Sequence, residues 1–359
     1  MHNSLRNYVD ISLSSFYNEG EEGVIMAVTI KDVAKLAKVS CSTVSRTCRN
    51  HPSISEETKK RVREAMDTLG YERDSVIQQE THTIGVVFPM SPQNEIYANP
   101  FYLEAIRGIG QYCNHKRYTL TIITGADEHE LIKSIRTAKA DGFIFLYSNI
   151  EDTIMDYMYE ENLLFVLIGK ATRLINDTIY VDNDNVQAAR EACEYLIKKG
   201  HQRIGYIGAD DNKVFSNDRK AGYLLALTSN NIPYRDDYCL SLTSNIEENC
   251  IKIQQLLCKE DRPSAILVCD DMYALLLEKE ISVKGLRIPQ DISLIGFNNS
   301  LFSRMTHPQL TCIDINAQQL GMEAASQLIK HIEHPNLYAT KIIVPYQFVE
   351  RESCMEFNK

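Results

Sequence analysis

From Ile84 onward the chain repeats one pattern: a short apolar run, a turn, then an amphipathic stretch. Short apolar runs bounded by turn signals read as buried strands, and stretches with apolar residues every three to four positions read as helices. The spacing predicts strands over 84–88, 118–123, 142–147 and 163–168, with helices over 101–115, 128–139 and 151–161. The pattern restarts near Val181-Asp182 with helix 184–199, strand 203–207 and helix 217–230. Helix 246–259, strand 265–269, helix 271–283 and strand 292–296 follow, and helix 316–333 with strand 341–345 complete it. Strands joined by helical crossovers form parallel sheets covered on both faces. The restart divides them into two doubly wound α/β subdomains, whose ligands sit in the cleft at the carboxyl ends of the strands.

What precedes this body differs in charge. The whole chain of 359 residues carries a net −10. Residues 84–359 account for −9, residues 27–83 for +2 and residues 28–55 for +4. A small basic module in front of a large acidic body suits anion binding by the module. The ten cysteines are scattered, without a CxxC pair, in a chain large enough to need no staples. They read as reduced thiols of a cytoplasmic protein. No apolar run approaches the ~20 residues of a membrane helix, and the N-terminus lacks the layout of a signal peptide.

Residues 1–25 show no period and little apolar content, the composition of a disordered leader. Glu21-Glu22-Gly23 would be written in purine-rich codons just upstream of Met26. Translation is therefore expected to start at Met26, with a disordered tail as the alternative.

Residues 26–71 read as three short helices. Thr29 and Asp32 form a capping-box start, and Ile30, Val33, Ala34 and Ala37 make one apolar face. Ser40 caps a second helix over 41–48 with Val44 inward. Ser55 caps a third, with the stripe Val62, Ala65, Met66 and Leu69 and a stop at Gly70. Two short helices joined by a tight turn and braced by a third make a helix-turn-helix. The polar face of its second helix carries Cys41, Ser42, Ser45, Arg46 and Arg49, groups that reach phosphates and base edges.

At these residues the chain resembles the lac repressor family. TIKDVAKLAKVSCSTVSR holds the pattern D-V-A-x-x-A-x-V-S-x-x-T-V-S-R intact, and residues 55–71 continue it as S-x-E-T-x-x-R-V-x-x-A-M-x-x-L-G-Y. The resemblance implies a DNA-binding transcriptional repressor, working as a homodimer on double-stranded operator DNA. It implies that Cys41, Ser42 and Arg46 read bases, while Thr29, Ser40, Thr43, Ser45 and Asn50 hold phosphates. Arg49 stands where the family usually has Asn and adds a phosphate contact. Lys38 occupies the turn position of a small residue and is expected at positive φ. The linker 72–83 is shorter than the family's, with Arg73 for its Pro, Asp74 for its Asn, and no Leu. Only Val76 and Ile77 remain as minor-groove wedges; the alternative is a plain tether. Operator bending weaker than the family norm is expected.

The body fits the family too, which implies a periplasmic-binding-protein-like effector and dimerisation domain over 84–359. Its matches include Asn99-Pro100-Phe101-Tyr102, Arg219-x-x-Gly222-Tyr223 and the run from Ile288 to Phe297. The crossovers are placed near 182, 297 and 336. One subdomain then holds 84–182 and 298–335, the other 183–297 and 336–359. Within the family, NPFYLEAIRGI, FLYSNIEDTI and VDNDNVQAA look closest to the maltose operon repressors of Gram-positive bacteria. A small sugar effector such as maltose is the implied ligand. Phe101 and Tyr102 are placed to stack on a pyranose ring, with core packing as the alternative for Phe101. Arg219 is assigned a sugar hydroxyl or an effector anion, with a surface ion pair to Asp218 as its alternative. Asp270 and Asn298 follow strands and point into the cleft; Tyr147, Lys170 and Asn183 follow the same logic. Asp271 reads as a helix N-cap.

Enzyme chemistry finds no support. Gly108-Ile109-Gly110 has Cys113 where a dinucleotide fingerprint needs its third glycine. Walker A, GxSxG and HExxH are absent, no cofactor is implied, and His331-Ile332-Glu333-His334 reads as a solvated helix face. The rival regulator is a catabolite repressor answering a phosphoprotein or phosphosugar.

Overall fold

The computed structural model describes residues 29–48, 54–69, 71, 82–90 and 99–357. The leader, Met26, Arg49, Asn50, Gly70 and the linker from 72 to 81 lie outside the described residues, as do the side chains of Ser42 and Ser45.

The N-terminal unit holds α1 (Ile30–Ala37), α2 (Cys41–Cys48) and α3 (Glu56–Leu69). Each start is fixed by a side chain. The Asp32 carboxylate accepts from the Thr29 N–H at 2.9 Å and from its hydroxyl at 2.7 Å. Ser40 Oγ accepts from Thr43 N at 3.1 Å, and Ser55 Oγ from Thr58 N at 3.3 Å. Val33, Ala34, Ala37, Val44, Val62 and Ala65 form the core. Lys38 sits at φ 54°, ψ 47°, the left-handed turn expected of it.

The body carries two sheets of six strands with one topology. The first runs β11-β5-β4-β3-β1-β2, all parallel. Its strands are β1 (Thr83–Val87), β2 (Thr119–Ile123), β3 (Gly142–Phe145), β4 (Phe165–Ile168), β5 (Ile179–Asp182) and β11 (Lys341–Ile343). The second runs β12-β10-β9-β8-β6-β7, parallel except for β12. It contains β6 (Ile204–Ala209), β7 (Cys239–Leu242), β8 (Ala265–Val268), β9 (Ser293–Phe297), β10 (Thr311–Asp314) and β12 (Gln347–Val349). The helices are α4 (Pro100–Lys116), α5 (Glu128–Thr137), α6 (Thr153–Glu160), α7 (Asn185–Lys198), α8 (Val214–Ser229), α9 (Ile246–Leu257), α10 (Asp271–Val283), α11 (Leu301–Met305) and α12 (Ala317–Glu333).

The chain passes between sheets three times. The first passage, after β5, is where the restart placed it. The other two are corrected. β10 pairs with β9 and β12, so the chain crosses after Asp314, not near 297. β11 pairs with β5, so it crosses back after Ile343, not near 336. The first error arises because β10 and β12 are runs of three or four residues, too short for periodicity to separate from loop; the second because the spacing marks 341–345 as a strand but not the sheet it joins.

Each sheet is braced by a helix pair packed backbone to backbone. A Cβ on Gly108 of α4 would collide with the Gln318 carbonyl of α12, and one on Gly321 with that of Ala105. Gly222 of α8 lies as close to Val186 of α7. Gly108 is thus a packing glycine. His331 is also corrected. It is buried, its ring nitrogens meeting the carbonyls of Gln327 at 2.7 Å and Tyr338 at 3.0 Å. It is a satisfied core histidine, while His334 is exposed.

Candidate functional site

The head presents its chemistry outward. Cys41 is exposed at the first turn of α2, and Arg46 is half-buried one turn and a half later. Ser40 and Thr43 bond one another through their hydroxyls at 2.9 Å. The backbone of Ser42 and Ser45 places both on this same helix.

In the body, Tyr147, Lys170, Asp270 and Asn298 all follow strand carboxyl ends, and α4 begins beside them. Asn99 caps α4, accepting from Phe101 N at 3.0 Å, because an Asn before a helix-starting Pro satisfies a free N–H. Its amide also reaches across to Asp270 Oδ2 at 3.3 Å. The half-buried rings of Phe101 and Tyr102 meet edge to face, centroids 5.4 Å apart, and Tyr102 rests 5.3 Å from Phe88. Burial and the Asp270 charge hold the Tyr102 phenol well above its ordinary range.

Arg219 is 3% exposed. It lies in the second turn of α8, which begins at Val214 and not at 217 as the spacing predicted. Its Nε donates to Asn185 Oδ1 at 2.8 Å and its Nη1 to the Cys269 carbonyl at 2.5 Å. The guanidinium lies 4.0 Å from the Phe297 ring centroid and 5.0 Å from that of Phe215. The ion pair with Asp218 is formed by Lys170 instead, at 3.4 Å. Burial lowers the Arg219 pKa while Asp270 and Asp182 oppose that shift. Asp182, pushed up to about 6 by burial, accepts from Asn183 N and Asn185 Nδ2.

Asp270, not Asp271, caps α10, accepting from Met272 N at 2.8 Å. Its second oxygen accepts from Asn298 Nδ2 at 2.9 Å as well as from Asn99. Asn298 stands at φ 90°, so its backbone turns sharply to aim the amide. Asp271 lies beneath: Oδ2 accepts from Ser300 N at 2.8 Å, while Oδ1 is buried without a hydrogen-bond partner among the described residues. Desolvation raises its pKa to about 7.

The structure therefore gathers Phe101, Tyr102, Arg219, Asp270 and Asn298. Tyr147 is buried beside Asp152, its hydroxyl without a hydrogen-bond partner among the described residues, on a small cavity it shares with Asn149, Met155 and Tyr159. Lys170 is exposed at the rim. Asn183 is taken up elsewhere: its amide donates to the carbonyls of Ile315 at 3.0 Å and Val344 at 2.8 Å, tying all three chain passages together. Asn99, Asp182 and Asn185 were not singled out in the sequence. The one local signal was Asn99 before Pro100. Among the described residues no cluster could hold a metal ion, and no helix is long and apolar enough to cross a membrane.

Residues 29–74 match the model of bacterial regulatory proteins of the lacI family, and 193–354 that of a periplasmic binding protein-like domain. Over 348 residues the chain is 35% identical to the HTH-type transcriptional regulator MalR of Streptococcus pneumoniae, covering 91% of this chain and all of that one. The chain belongs to the lacI family. It is also 29% identical to catabolite control protein A of Priestia megaterium, over 91% of this chain and 99% of that one. A crystal structure of a LacI-type transcriptional regulator from Bacillus cereus subsp. cytotoxis superposes with a TM-score of 0.73 at 36% identity, covering 77% of this chain and 99% of that one. As a family member the chain is a DNA-binding regulator and not an enzyme, and its family binds operator DNA and small sugar effectors.

Proposed function

We propose that this lacI-family protein represses genes for maltose or maltodextrin use in the cytoplasm, and that maltose in the body's cleft controls its hold on operator DNA. The observation that carries the reading is the meeting of both lobes at Asp270, whose carboxylate accepts from Asn99 of one and Asn298 of the other. A ring stacked on Phe101 and Tyr102 would present hydroxyls to Arg219, Asp270 and Asn298, with Tyr147 at one end and Lys170 at the rim. Few convergent polar groups among aromatic walls suit a neutral polyol. The 35% identity to MalR supports maltose as the ligand.

On the DNA side, α2 enters the major groove. Cys41, Ser42 and Arg46 contact bases, and Thr29, Ser40, Thr43, Ser45, Arg49 and Asn50 contact phosphates. A homodimer places two heads on a palindromic operator. Exposed Ile251, Val283, Leu301 and Met305 on the mutually packed helices α9 to α11 support such pairing. The effector acts by its differential affinity for two lobe arrangements; about 10⁴-fold preference would switch the protein almost completely.

Calorimetry with maltose, cellobiose, ribose and a phosphosugar, followed by operator titration with each, tests the reading. Maltose is expected to bind and to change operator affinity. A response only to a phosphosugar or a phosphorylated protein partner would replace the maltose reading with the catabolite one.

A further inference from the structure

We infer that Asn149, Asn212 and Lys213 are positioning residues: they form a latch on the rim of the body that sets how far the lobes close, and thereby effector affinity, without touching the effector. The inference rests on the cleft being the effector site.

The three chain passages lie at one edge of both sheets, beside β5 and β11 in one lobe and β10 and β12 in the other. The segments that follow β3 and β6 lie farther across, where hinge closure brings the lobes together. There, 148–151 meets 212–214. Asn149 and Lys213 face each other in an isolated antiparallel bridge. Ile150 N donates to Asn212 O at 2.9 Å, and Val214 N to Ser148 O at 3.4 Å. The Asn212 side chain adds a reciprocal pair: its Oδ1 accepts from Glu151 N at 2.8 Å, and its Nδ2 donates to Glu151 O at 3.1 Å. Lys213 Nζ donates to Asn149 Oδ1 at 3.0 Å, and Asn149 Nδ2 to the buried Asp152 carboxylate at 3.1 Å.

The ends of this relay matter. Asp152 caps α6 of the first lobe through Ile154 N at 3.0 Å. Lys213 is the N-cap residue of α8 in the second, the helix that carries Arg219. The latch thus joins the starts of two helices, one per lobe, and holds the second where Arg219 lies over Phe297. Every bond in it is made by protein alone. It biases the open–closed equilibrium before any effector contributes, and apparent effector affinity scales with the closed fraction.

The test uses the full chain with N212A, K213M and K213R. Spin labels at exposed positions 133 on α5 and 247 on α9 report lobe separation. Exposed Cys41 and Cys258 are replaced, and labelled chains are diluted with unlabelled ones. Without sugar, N212A and K213M are expected to enlarge the long-distance population several-fold, while K213R keeps the parent distribution. Maltose affinity should weaken about five- to tenfold in the first two, the order expected for losing one or two net hydrogen bonds. Saturating maltose should restore the parent distance. A parent-like distance distribution in N212A overturns the latch, even if its Tm falls. If maltose binds no variant and not the parent, the sugar reading fails, while the distances still decide the latch.

Discussion

The head keeps the charges of its candidate DNA face outside, whereas the body buries most of the charges of its candidate cleft. In the head, Val33, Ala34, Val44 and Val62 fill the interior and the basic groups stay outside; the buried Lys59 is paired with Glu56 at 2.7 Å. In the body, Arg219, Asp182, Asp270 and Asp271 are all buried. An outward charge attracts a polyanion over distance and is screened by salt. A buried, oriented charge does little at a distance but presents fixed hydrogen bonds to a neutral ligand. The two regions therefore differ in what a substitution removes: attraction from the head, organisation from the body.

Arg219→Ala should have the largest effect. It strips the donors from Asn185 Oδ1 and the Cys269 carbonyl and removes the positive charge that opposes the upward shift of Asp182. Removing one partner of a buried charged network costs about 3 kcal/mol, readable by urea unfolding. Calorimetric sugar binding should vanish, while operator affinity at fixed salt stays at the parent value. A variant that binds sugar as the parent does would remove Arg219 from the cleft chemistry.

The division between the regions should also appear against pH. Burial raises Asp271 and Glu278 to about 7 and Asp182 to about 6. A carboxyl raised on folding keeps its proton in the native state after the unfolded chain has released it. Stability from these groups is therefore full below about pH 4, falls as pH rises, and is lost above about pH 7. In the head the sign reverses: the Thr29 backbone and hydroxyl lower Asp32, and Lys59 lowers Glu56, both exposed and weak. Asp271→Asn keeps an acceptor for Ser300 N but has no charge to bury. It should unfold like the parent at pH 4 and gain about 2 kcal/mol at pH 8. Equal gain at both values would trace the effect to packing instead.

The head was more legible in the sequence than the body's site, for the same reason. Ser40 and Ser55 accept from N–H groups three residues on and Asp32 reaches three residues back to Thr29, so local spacing carried the caps, and Lys38 stands at the turn position where the family resemblance places a small residue. Repetition made the parallel sheets legible as well. The chain passages were not, because β10 finds its partners 16 residues back on β9 and 33 to 37 residues on, in β12. Arg219 was placed by its motif, yet its burial depends on Asn185, Cys269 and Phe297, which no local pattern connects. Asn183 and Asp271 misled because a polar residue after a strand looks the same whether it faces a ligand, a carbonyl or a helix start.

Arg46→Ala tests the head's half of the contrast. Losing one base or phosphate contact weakens operator binding by about 1–3 kcal/mol, with sugar binding unchanged. The salt dependence decides which contact it is. A slope smaller by about one charge means phosphate; an unchanged slope with relaxed sequence preference means a base. Parent-like operator affinity would take Arg46 off the interface.

Lys38→Gly should give the smallest change, and it divides folding from attraction within the head. Lys38 is exposed at φ 54°, its N–H directed to the carbonyls of Ala34 and Lys35, and Val39 N closes on Ala34 O at 3.0 Å. Left-handed backbone costs a side-chain-bearing residue about 1 kcal/mol, which glycine avoids. Glycine also gives the unfolded chain more freedom, which offsets part of that, so the net gain should be about 0.5 kcal/mol. Amide exchange in α1 and α2 would register it as slower opening. The same substitution removes one positive charge from a patch of net +4, so non-specific DNA affinity should fall slightly at low salt and converge with the parent at high salt. Stability and DNA affinity moving in opposite directions would show that the head's fold is set by its backbone and its DNA affinity by its surface. Faster exchange in the variant would mean that the Lys38 side chain holds the turn together.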